Sequence, residues 1–183
     1  MKTHHTSGGA AKAGPARAQP DAAAVMARKF ENVFQHAFAR SRKEGPGSRK
    51  HLFVTLHEAP ALNRDAAAYW ASCSLPANAL HEWFIATGLE KKKDLFIALQ
   101  VSPSTLSRAK PETTLDAGVT ERMLRQSELF VRAAEVFGED GATWMTTPHD
   151  LLGGKAPVEY ASNEFGGAKV RQILNAIEYG GVV

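Results

Sequence analysis

The chain has 183 residues, 44% of them apolar, enough for one good core or two small ones, and no apolar run nears the roughly 18 to 20 residues a membrane helix needs. A single cysteine, Cys73, excludes an internal disulfide and fits a reducing cytoplasm, where the protein is expected to reside. The net charge of +3 is unevenly spread: residues 1–118 hold 16 Lys+Arg against 10 Asp+Glu, and residues 119–183 hold 6 against 9, which makes the front half the candidate for phosphate contact.

Residues 1–20 are rich in Ala, Gly, Pro and basic residues and have nothing to bury, so they read as a disordered arm without the apolar stretch of a secretory signal. From Asp21, a candidate cap, the pattern turns helical. Val25, Met26, Phe30, Val33, Phe34, Ala37 and Phe38 form one apolar face, and Gly45-Pro46-Gly47 breaks the helix. "HLFVTLHE" is compatible with a short strand or a buried helical turn. Leu62 to Ser74 and Pro76 to Thr87 read as two further helices, the second closed by Gly88. Cys73, between Ser72 and Ser74, reads as a small packed residue.

Residues 91–110 have the rhythm of a helix-turn-helix. Leu95, Phe96 and Leu99 point inward from the first helix, Ser102 caps the second, and Pro103 takes its first position, where a missing N–H costs nothing. Leu106 faces back, which leaves Ser102, Ser104, Thr105, Ser107, Arg108 and Lys110 as candidate contacts to DNA phosphates and base edges before Pro111 ends the unit. Two residues depart from a well-formed reader. Gln100 occupies the turn position that favours Gly, and Phe96 sits where close helix packing favours a small side chain. A structural helical corner is the competing reading.

A long helix follows Thr120, with Met123, Ser127, Phe130, Ala134 and Phe137 as its seam, expected to be core and not a dimer face. Short turns follow around Trp144 and after Pro157. The last helix puts Val170, Ile173, Leu174 and Ile177 inward, and Gly180-Gly181 releases Val182 and Val183.

Motifs of catalysis fail. "HEWFI" begins like a zinc helix, but Ile85 stands at the second ligand position. "HDLLGGKA" is an incomplete phosphate loop, with His149 for its first Gly and Ala156 for its magnesium ligand. The Lys91-Lys92-Lys93 run reads as a solvated helix start. No nucleophile has a positioned base, so the chain is expected not to be an enzyme and to need no metal or other cofactor.

From Thr114 onward the chain resembles the toxin-binding domain of the Xre/MbcA/ParS antitoxins. Val136-Phe137-Gly138, Trp144, Leu152-Gly153-Gly154, Pro157, Val170, Leu174, Ile177 and Gly180 carry the likeness, while Ala156 stands where a Thr is common. The resemblance implies an all-α protein: an N-terminal helical region over 21–113, with the helix-turn-helix at 91–110, followed by a small toxin-binding domain over 114–183. It implies a type II antitoxin that neutralises a RES-domain toxin, one that consumes NAD or ADP-ribosylates a host enzyme. Such antitoxins often repress their own operons, so operator DNA is a second expected partner and a homodimer the expected state. The family brings its C-terminal end to the toxin's substrate pocket, which points to Tyr179, Gly180, Gly181, Val182 and Val183, with Tyr179 as anchor. The surface around Gly153, Gly154 and Lys155 is the other candidate contact. A stand-alone transcription regulator, dimerised by its C-terminal half, is the alternative.

Overall fold

The computed structural model of the chain describes residues 20–41, 50–108, 110 and 113–181. The arm expected before Pro20, the Gly45-Pro46-Gly47 breaker, Pro111 and the Val182-Val183 tail lie outside the described residues, as do the side chains of Asp21 and Leu106. What is described is mostly helical, with one two-stranded sheet.

Helix α1 (Pro20–Ser41) buries Ala23, Ala27, Phe30, Val33, Phe34, Ala37 and Phe38. Val25, expected on that face, is exposed. It lies two residues from both Ala23 and Ala27, and at about 100° per residue that is the far side of the helix.

The ambiguous "HLFVTLHE" is a strand. β1 (Phe53–Leu56) pairs antiparallel with β2 (Ala59–Leu62), from Phe53 opposite Leu62 to Leu56 opposite Ala59. The hairpin is an addition to the expected all-helical chain. Its two-residue turn, His57-Glu58, has positive φ at both positions, 50° and 68°. That turn matches the twist of the strands but usually carries Asn-Gly, so the sequence held no hairpin signal. Glu31 of α1 secures the hairpin, its carboxylate accepting the N–H groups of Leu52 at 2.7 Å and Phe53 at 3.2 Å.

Because Leu62 belongs to β2, the helix expected from there begins later, as α2 (Arg64–Ala71), capped by Asn63 Oδ1 on the Ala66 N–H at 3.2 Å. α3 (Ala79–Thr87) likewise starts after Pro76, which forms an isolated bridge with Thr114. α4 (Lys92–Leu99) and α5 (Pro103–Arg108) follow, then α6 (Ala117–Phe137), α7 (Gly141–Thr146), α8 (Pro157–Tyr160) and α9 (Glu164–Tyr179).

α6 is the axis of the fold and packs against α1, α2, α3, α4, α7 and α9. Met123, Ser127, Phe130 and Ala134 of its seam are buried within the chain, as core, and Phe137 is half-buried. Phe130 sits 6.1 Å from the Trp83 ring and 6.4 Å from Phe30, each pair worth about 0.5–1.5 kcal/mol beyond the area buried. Ser127 Oγ accepts the Trp83 indole N–H at 2.9 Å and donates to the Met123 carbonyl at 2.7 Å. The apolar core runs without a break from Ala23 to Leu174.

Candidate functional site

Two groups of residues were singled out, and they lie on different parts of the fold. The first is the corner between α4 and α5. Gln100, in place of the usual Gly, reaches the left-handed conformation at φ 50° and caps α4 with its N–H. Phe96 is half-buried against the core. The last carbonyls of α4 are satisfied from α6: Arg122 Nε donates to Leu99 O at 2.7 Å, and Gln126 Nε2 to Ala98 O at 3.3 Å. α4 is therefore fastened to the long helix, whereas the described side chains of α5 are all exposed.

Ser102, Ser104, Thr105, Ser107, Arg108 and Lys110 are all exposed. Ser102 Oγ accepts the Thr105 N–H at 3.3 Å, the expected cap, and lies 2.8 Å from Ser104 Oγ and 3.0 Å from Thr105 Oγ1. These three hydroxyls form one cluster. Arg108 and Lys110 make no ion pair with a described residue, and Lys91, Lys92 and Lys93 are exposed at the start of α4.

The second group spans the surface of α7 to α9. Phe137, Trp144 and His149 form a run of rings, 5.2 Å between the first pair of centroids and 4.9 Å between the second. His149 N–H then donates to Lys155 O at 3.1 Å, and between them the chain turns through Gly153 and Gly154 at φ 64° and 78°. Among the described residues no strand leads into this hydrogen-bonded turn, as one leads into a phosphate loop. A Cβ at either glycine would meet nothing within 4 Å, so backbone conformation and not space demands glycine there. Lys155 is exposed and pairs with Glu159 at 3.3 Å. Ala156 is the N-cap of α8 and makes no side-chain capping bond, since its methyl group has no acceptor to offer.

α9 ends as expected, with Gly180 in the left-handed conformation and the Gly181 N–H on Ala176 O at 2.9 Å. Tyr179 is 76% exposed. Arg132 of α6 holds this last turn: its Nε and Nη2 donate to Asn175 Oδ1 at 3.1 and 2.9 Å, it pairs with Glu135 and Glu178, and its guanidinium lies 5.8 Å from the Tyr179 ring centroid. Burial works against the charge of Arg132, but hydrogen bonds and attraction from Glu135 and Glu178 outweigh it and raise its pKa further, so it stays cationic. Arg171 is raised in the same way, burial being outweighed by Glu128 and Glu164. Ile177, expected inside, is exposed one turn beyond the buried Ile173 and Leu174.

Lys155 and Tyr179 do not meet. Lys155 shares a cleft with Gly166 at the start of α9, and Tyr179 ends that helix, about 20 Å further along at 1.5 Å per residue. The residue that sequence reasoning missed is Phe165, also at this cleft and 89% exposed. Its signal was present in "NEFGG". A Cβ at Gly166 would lie 1.9 Å from Tyr160 O, and one at Gly167 2.8 Å from Arg125 Cδ. Those glycines must face inward, which turns Phe165 outward.

Among the described residues no group of His, Cys, Asp or Glu could hold a metal ion, and no helix is long and apolar enough to cross a membrane. Residues 132–180 match the family described as the antitoxin Xre/MbcA/ParS C-terminal toxin-binding domain. No curated protein was found to match the chain.

Proposed function

We propose, from a C-terminal segment that matches the toxin-binding domain of the Xre/MbcA/ParS antitoxins, that this chain is the antitoxin of a type II pair and neutralises a RES-domain toxin. The family match over residues 132–180 carries the reading. Tyr179 supports it further: an aromatic side chain, largely exposed at the end of the matched segment and braced by Arg132, is built to be covered by a partner. In this reading the chemistry is the toxin's, NAD consumption or ADP-ribosylation, and the antitoxin supplies only contact surface. The corner of α4 and α5, with Arg108 and Lys110 free of described ion pairs, would bind operator DNA and repress the operon, as a homodimer on a two-fold site.

The test is co-expression with the product of the adjacent reading frame. The full chain is expected to co-purify with it and to preserve cellular NAD and growth. Deleting residues 179–183 should leave the fold and DNA binding intact but weaken neutralisation. A full-length chain that neither binds nor protects would remove the antitoxin reading and leave the stand-alone regulator.

A further inference from the structure

Phe165 stands outside the apolar core. Asn163 Oδ1 caps α9 on the Gly166 N–H at 3.0 Å, and Gly166 and Gly167 bring the first turn into contact with the Tyr160 backbone and with Arg125. That contact sets the rotation of the helix, so the outward direction of Phe165 follows from helix phase and not from a side-chain rotamer. At 89% it is the most exposed large apolar side chain among the described residues. Beside it lies a cleft of about 330 Å³ lined by Lys155, Glu159, Tyr160, Ser162, Asn163 and Gly166.

The charged groups that line the cleft, and the Glu164 next to Phe165, are already paired. Lys155 meets Glu159 at 3.3 Å, and Glu164 meets Arg171 at 3.2 Å. An apolar centre within a polar rim of compensated charge has the character of a protein interface. It does not suit nucleic acid, and residues 132–180 hold four Lys+Arg against seven Asp+Glu. Every residue of the site lies inside the segment that matches a toxin-binding domain, which makes a toxin the occupant best suited to this surface.

We infer that Phe165 and the adjoining cleft are an anchor point for the toxin: the ring enters a recess of the toxin surface while a toxin side chain fills the cleft. This rests on the antitoxin reading and adds to it a second contact, about 20 Å along α9 from Tyr179.

The experiment measures binding of the purified full chain to the purified product of the adjacent reading frame, by calorimetry, with sedimentation of the free chain alongside. Phe165→Ala is expected to weaken binding about 30-fold, the loss of a hot-spot aromatic, and Phe165→Leu by less. Both should keep the wild-type thermal midpoint. Ile85→Ala, which truncates a 63% exposed residue outside the matched segment, should change nothing. Wild-type affinity in Phe165→Ala would overturn the inference while leaving the antitoxin reading intact. So would a variant that keeps its toxin affinity but falls from a dimer to a monomer, because the occupant would then be a second copy of this chain. A wild-type chain that does not bind would fail the antitoxin reading and this inference with it.

Discussion

At the scale of single residues, glycines with different causes should respond differently to the same change. Gly154→Ala meets only the cost of a side chain at φ 78°, about 1 to 2 kcal/mol, because its Cβ would point into open space. Gly166→Ala would drive a Cβ to 1.9 Å from a backbone oxygen, which only moving α9 off the α8 turn can relieve. Gly154→Ala should fold with a modest drop in the denaturation midpoint, and Gly166→Ala should lose the cooperative transition. Ser127 offers a second test. Its hydroxyl takes the indole N–H of Trp83, whose side chain is fully buried, so Ser127→Ala leaves that donor without a partner at a cost of about 1 to 3 kcal/mol. Urea titration followed by Trp fluorescence reads it as a lower midpoint at unchanged slope.

Among elements, α4 and α5 form a pair of unequal firmness. Side chains from α6 close the end of α4, while α5 is short and its described side chains are exposed. Substitutions on α5 should therefore act on DNA and barely on stability. Replacing Arg108 and Lys110 together with Ala should weaken operator binding and reduce its salt slope by about 2 units if both contact phosphates. Toxin binding should stay at the wild-type value. An unchanged gel shift would assign the segment to a helical corner.

For the whole molecule, the seam of α6 decides how far the two ends are independent. Phe130 is packed by Phe30 of α1 and Trp83 of α3, and α9 lies against the same helix. A fragment of residues 114–183 would expose Met123 and Phe130, two fully buried side chains worth about 1.5–3 kcal/mol each by area. The intact chain should unfold in one transition with matching calorimetric and van't Hoff enthalpies. The fragment alone should show no sharp melting. Two resolved transitions in the full chain would mean that the halves fold separately.

Much of this was legible in the sequence because it is local. Helical period, the Ser102 cap, the stops at Gly88 and Gly180 and the motif from Val136 to Gly180 depend on neighbours a few residues away. What each face meets is not local. Periodicity established that α6 buries Phe130 but not that Phe30, a hundred residues earlier, receives it. Nor could it choose strand over helix at Phe53, since four apolar-rich residues satisfy both periods and the hairpin depends on Glu31 of another element. The outward turn of Phe165 was decided in the same way: only the approach of the Tyr160 backbone to Gly166 fixes which side of α9 is the inside.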